Sequence, residues 1–258
     1  MNYFKTLILL LTLPVLSAHS AKTSLTKSEY CINQKTQNYA KELAQEDNSR
    51  MSFVNRGGIL GGGVCWWHSR FQRNALYLTS YRPGLNKPSI KQAKKLIHEI
   101  RRGKRTVIIP GYSNFYNFSY DFKDLIQKRL QEWQRTDGIL KQKWIVGLAG
   151  KTEVTPEKLQ SMMEKLYQDV VVNKNIIYQK LQLKGITAHA WLVVDMQKTV
   201  NGYDLNVIDS NSPSSTNVYH YQYGNTSFQN YYYGKFVPYT GNMKELKKLK
   251  KAINKTCR

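Results

Sequence analysis

The segment Gly61-Gly62-Gly63-Val64-Cys65-Trp66-Trp67-His68-Ser69-Arg70-Phe71 decides how the rest of this chain is read. Three glycines give a loop open to conformations that other residues avoid. The aromatic and polar run after it continues as a helix, predicted from Cys65 to about Leu78 with Trp66, Ser69, Ala75 and Leu76 facing inward. The sulfur therefore stands at a helix N-terminus, where first-turn N–H groups and the helix dipole favour an anion. The thiolate is the nucleophilic form of cysteine, and such a setting favours it.

On the N-terminal side, Thr26 with Glu29 three residues on reads as a capping box opening a helix over 27–47, followed by a glycine-rich loop over 48–64. Downstream the pattern predicts a turn at 81–84, a Ser89-capped helix ending at Gly103, and a short strand over 106–109. A helix over 119–135, a strand over 144–148 and a helix from Thr155-Pro156 to about residue 183 follow. Beyond Gly185 the period becomes that of strands. Runs over 186–196 and 203–208 are joined at Asn201-Gly202, a hairpin signal. The tyrosine-rich stretch 218–239 predicts two more strands, and a last helix spans 242 to about 254. Helices first and sheet second make the fold class α+β, with a helical N-terminal half packed on a C-terminal antiparallel sheet.

Lys5 and the apolar run 7–16, followed by small residues up to Ala21, read as a secretory signal peptide over 1–21. The run is short for a membrane span, and no later segment approaches that length. Residues 22–258, from a chain that is 41% apolar, fit one domain. The expected location is secreted or periplasmic, and the expected state a monomer. A formal charge of +22 implies non-specific adsorption to anionic surfaces. No arginine-rich arm or nucleic-acid-binding signature accompanies it, so no specific nucleic acid partner is expected. Export permits disulfides. Of the three cysteines, Cys31 and Cys257 lie near the ends of the mature chain, and domain termini are often close in space. Their pairing would leave Cys65 as a free, reactive thiol. No cluster has zinc-like spacing, and neither metal nor cofactor is called for.

A cysteine hydrolase needs a thiolate, a base beside it and a group that orients the base. His189 lies in Thr187-Ala188-His189-Ala190-Trp191, near the start of a predicted strand. Asp209 lies in Val207-Ile208-Asp209-Ser210-Asn211, at the end of the next, with Asn211 the second candidate for the orienting role. A hairpin places residues of adjacent strands within hydrogen-bond reach. Trp66, Trp67 or Trp191 could shield the pair from water. His68 shares a helical face with Cys65 and reads as solvent-facing or supporting, less readily as a competing base. Tyr219, Tyr221 and Tyr223, then Tyr231, Tyr232 and Tyr233, alternate as cross-strand packing pairs do.

The run Gly63-Val64-Cys65-Trp66-Trp67-His68-Ser69 resembles the active-site segment of the papain-like cysteine proteases, where a Gly-x-Cys-Trp-x-x-Ser pattern opens the central helix. In that family the His and the Asn or Asp follow on the β half, roughly 130–150 residues downstream. Ala188-His189-Ala190 and Ile208-Asp209-Ser210-Asn211 look like the bacterial Cys-His-Asp members. The resemblance implies a papain-like fold and a Cys65, His189, Asp209 triad acting on a protein or peptide substrate through an acyl-enzyme. It covers three short motifs, their order and the α-then-β layout. The family's oxyanion-hole Gln is missing: Ile59 and Leu60 stand there, and Asn55 is the nearest upstream amide, carried as the oxyanion candidate. Gly62 stands where the family has a further cysteine. Two other readings remain open: transglutaminase-like or amidase acyl transfer on the same triad, and a non-catalytic basic binding protein of the same fold.

Overall fold

A computed structural model describes residues 26–35, 38–58, 61–140, 151–184 and 188–258. The expected signal peptide and the strand predicted over 144–148 lie outside these residues. The chain begins with α1 (Lys27–Lys35) and α2 (Tyr39–Gln45), then a 3₁₀ turn at Asp47–Ser49. The Thr26–Glu29 capping box forms as predicted: the Thr26 N–H donates to the Glu29 carboxylate and the Glu29 N–H to the Thr26 hydroxyl. The single helix predicted over 27–47 is instead two. A straight helix would separate Tyr30 and Tyr39 by about 13 Å along its axis, whereas their rings meet edge-to-face at 6.2 Å.

α3 (Cys65–Leu78) has the predicted bounds, and every residue of it except Arg70 is buried. It runs directly into β1 (Thr79–Arg82), which pairs in parallel with β2 (Val107–Pro110). Tyr81 and Arg82, predicted in a turn, thus belong to a strand. α4 (Ile90–Arg102) connects the pair; Ser89 and Gln92 make a capping box and left-handed Gly103 ends it. The helix predicted over 119–135 is divided into α5 (Phe115–Asp121) and α6 (Lys123–Gln134) at Phe122, where the Phe118 and Phe122 rings pack at 5.2 Å.

α7 (Pro156–Tyr167) is capped by the Thr155 hydroxyl, which accepts from the Lys158 N–H. It does not reach residue 183 as predicted. Lys174 adopts a φ of 52°, which stops any helix, and β3 (Ile177–Gln182) follows. The sheet order is β6-β5-β4-β3-β8-β7, every pair antiparallel, with β4 (Ala188–Thr199), β5 (Gly202–Asp209), β6 (Thr216–Gln222), β7 (Phe228–Asn230) and β8 (Gly234–Tyr239). The tyrosine-rich stretch therefore yields three strands, not two. The β4–β5 turn is Val200-Asn201, because Gly202 already pairs with Thr199. Glycine is needed at 202 for space: a Cβ there would lie 1.9 Å from the Tyr221 carbonyl oxygen.

α8 (Lys244–Thr256) closes the fold with Leu246, Leu249 and Ile253 inward. One apolar core fills the space between the sheet and α7, α8, α1 and α2; a second joins α3, α4, α5, α6 and β2. The architecture is α+β. Cys31 and Cys257 form a disulfide across 226 residues, tying α1 to the end of α8. Among the described residues no helix is long and apolar enough to cross a membrane. Closing so long a loop constrains the unfolded chain strongly. Cys31→Ser with Cys257→Ser should therefore cost about 2–5 kcal/mol of stability, read as a lowered midpoint in chemical denaturation with native circular dichroism retained at low denaturant.

Candidate active site

The entry to α3 is set by glycine. Gly63 has a φ of 80°, and a Cβ there would lie 2.7 Å from the Asn55 amide nitrogen. Its N–H donates to the Gly57 carbonyl at 2.6 Å, and its carbonyl accepts from Gln134 Nε2 at 2.9 Å. Val64 occupies the N-cap without a capping side chain of its own. The Asn55 side-chain oxygen does that work from outside, accepting from the Val64 N–H. Cys65 thus enters the helix from a loop held at both ends.

Two side chains of the same segment dock the helix on β4. Trp66 Nε1 donates to the His189 carbonyl at 3.1 Å, and Ser69 Oγ donates to the Ala190 carbonyl at 3.1 Å. Residues three apart share a helical face, so Trp66 and Ser69 grip consecutive β4 residues. The Trp66 and Trp67 indoles stack at 5.8 Å, and the Lys180 ammonium sits 3.7 Å over the Trp66 ring. Trp191, a third candidate for shielding, is in the sheet core with its indole N–H on Gln179.

This docking brings Cys65, His189 and Asp209 together. Cys65 is the free cysteine, buried and hydrogen-bonded with His189. His189 Nε2 donates to Asp209 Oδ1 at 2.6 Å, which leaves Nδ1 to face the sulfur. On the β4–β5 ladder Asp209 stands opposite Trp191, so His189 is its diagonal neighbour two residues along the same face. Burial pulls the imidazole toward neutrality, but the Asp209 hydrogen bond and the Cys65 contact outweigh it and lift its pKa to about 10. Asp209 is likewise raised by burial and more strongly lowered by His189, the Asn211 N–H and the Tyr233 hydroxyl, so its pKa ends below the ordinary value. At neutral pH the pair is imidazolium beside carboxylate.

Tyr233, missed in the sequence, donates its hydroxyl to Asp209 Oδ2 at 3.2 Å, and its ring lies 5.5 Å from the imidazole. Burial and the Asp209 charge push its pKa far up, so it stays a neutral donor. Nothing in a run of three tyrosines marks one as different. Asn211 does not orient His189: its backbone N–H donates to Asp209 Oδ1 at 2.8 Å, and its side-chain oxygen accepts from Asn55 Nδ2 at 3.1 Å. Asn55 therefore bridges the loop before Cys65 and the loop after Asp209. His68 is not solvent-facing; it is 1% exposed. Burial holds its pKa down at about 4, so it is neutral and donates Nε2–H to the Phe53 carbonyl at 2.9 Å. Among the described residues no group of three or more His, Cys, Asp or Glu side chains could hold a metal ion.

Comparison of the chain with protein-family models, with curated proteins and with solved structures found no match.

The arrangement can stabilise a thiolate beside an imidazolium. A lone thiol two pH units below its ordinary pKa is only about 1% ionised. His189→Ala should accordingly slow iodoacetamide alkylation of Cys65 near pH 6.5 by about 10- to 100-fold. Linkage gives a second expectation. A group raised from 6.5 to about 10 on folding contributes stability that is fully present below pH 6.5 and is lost as pH rises through 10. Thermal stability of the wild type should fall over that window by more than that of His189→Ala.

Proposed function

We propose that the protein is an exported papain-like cysteine hydrolase that cleaves peptide or amide bonds through an acyl-enzyme on Cys65. The observation that carries this reading is the continuous line from a free thiol at the start of α3 through His189 to Asp209. The α+β layout, the Trp66 and Ser69 contacts to the strand bearing the base, and the disulfide elsewhere in the chain are consistent with it.

In this mechanism the Cys65 thiolate attacks the substrate carbonyl carbon. Negative charge passes to the carbonyl oxygen, which takes hydrogen bonds from the Cys65 backbone N–H, a first-turn donor of α3, and from the second Nδ2 hydrogen of Asn55. The first Nδ2 hydrogen is held by Asn211, which fixes the direction of the amide. His189 Nδ1–H protonates the leaving amine as the C–N bond breaks. The neutral imidazole then takes a proton from water, whose oxygen attacks the thioester carbonyl carbon; the C–S bond breaks, the acid departs, and the thiolate is left beside an imidazolium as at the start. Asp209 holds the ring through Nε2 across both steps, steadied by Tyr233 and the Asn211 N–H. A peptide or protein is the expected substrate. Acyl transfer to an amine differs only in the acceptor of the second step.

The reading is tested by incubating the purified, oxidised protein with a peptidyl epoxysuccinate and with a mixed peptide library. Covalent addition at Cys65 alone and peptide cleavage are expected, with turnover falling at least about 10³-fold in Cys65→Ala. New amide products on adding an amine would assign a transferase. Absence of both addition and turnover, with Cys65 shown to be reduced, would overturn the proposal.

A further inference from the structure

A second feature lies further along α3. A cavity of about 280 Å³ opens where α3, α4, α6 and α8 converge. Its walls carry Arg70 and Arg73 of α3, Arg101 and Arg102 of α4, Lys104 just beyond, and Lys248 of α8. Among the described residues only Asp137 and Glu245 oppose these six cations there. Both carboxylates are engaged. Glu245 pairs with Arg70 and, at 2.8 Å, with Arg73. Asp137 accepts from Arg70 at 3.0 Å and from Trp133 Nε1 at 2.8 Å.

Donors remain beyond these pairs. Arg73 is 5% exposed, and its buried Nε–H has no hydrogen-bond partner among the described residues; the same holds for the buried Nε–H of Arg101. A buried donor left unmade is costly. Arg102 approaches Glu99 only to 3.8 Å. Burial, then the charge of Lys104, lowers the Lys248 pKa, as expected where cations crowd without enough counter-charge. The C-terminal carbonyls of α4, which would repel an anion, are covered. Asn74 Nδ2 donates to the Ile100 and Arg101 carbonyls, and the Gly103 N–H to those of Glu99 and Ile100.

We propose that this cavity binds a small phosphoryl anion, of the size of phosphate or pyrophosphate. Guanidinium forks match tetrahedral oxyanions in geometry as well as charge, and the cavity is at the small end of ligand pockets. Arg70 and Arg73 follow Cys65 by about 8 and 12 Å of helix rise, so the site is separate from the thiol while sharing its helix. A bound anion would offset the excess of positive charge on the cavity walls and bind α3, α4 and α8 to one another.

The test is calorimetric titration of the oxidised protein with pyrophosphate at about 0.15 M salt, where non-specific attraction is screened, with phosphate and sulfate in parallel. One saturable site per chain is expected, with pyrophosphate or phosphate bound more tightly than sulfate. Arg101→Gln with Lys248→Gln should weaken it at least about tenfold, the loss of one charged hydrogen bond. Lys94→Gln with Lys95→Gln, an equal charge change on the exposed face of α4, should stay within about twofold. Equal weakening of both pairs, a preference for sulfate, or no saturable site would overturn the assignment. If the double pocket variant loses its circular dichroism, Lys104→Gln, on an exposed position, decides: weaker binding supports the site and unchanged binding overturns it.

Discussion

Helix α3 carries Ser69, Gln72, Arg73 and Asn74 into the interior, where a polar group without a partner costs about 1–3 kcal/mol. Most of these groups meet that demand by holding a different segment of the chain. Ser69, with Trp66, takes the β4 backbone. Gln72 accepts from the Met51 N–H and donates to the Ser49 carbonyl, while His68 donates to Phe53, fixing the loop before the thiol. Arg73, with Arg70, grips Glu245 of α8. Asn74 seals the end of α4. The helix that presents Cys65 is thus the frame on which both halves are hung, and the precision of the site follows from its burial.

The electrostatics of the site depend on the same docking. An imidazole buried beside a thiol would lose its proton to desolvation unless something opposed the loss. Asp209 supplies that opposition, and its carboxylate is in turn supported by Tyr233 and the Asn211 N–H. Asn55 adds a mechanical link, since one side chain caps the entry to α3 and touches the loop that follows Asp209. In the proposed hydrolase these contacts keep nucleophile and base in register.

The parts of the fold with local punctuation were legible in the sequence. Ser89 and Gly103 bound α4 by their own chemistry, and Gly63 before Cys65 announces α3. That Cys65, His189 and Asp209 could meet was legible because each lies at the end of an element whose period is clear. β3 was not, because neither Gly nor Pro separates it from the helix before it, and Gln179, buried against Trp191 and Thr240, reads as a polar helical residue. The buried polar stripe of α3 was equally opaque: Gln72 and Asn74 look solvated until their partners, far away in sequence, are known. Tyr233 differs from the exposed Tyr231 and Tyr232 through its contacts with Asp209, His189, Tyr219 and Phe236, and those belong to tertiary structure alone.

Nitrogen-15 NMR of histidine-labelled, oxidised protein reads the state of His189 directly. One imidazole ring should remain doubly protonated up to about pH 10, and its titration should move down in Cys65→Ala and further in Asp209→Ala. Wild-type protein in which every ring is neutral by pH 8 would contradict the imidazolium on which the proposed chemistry rests.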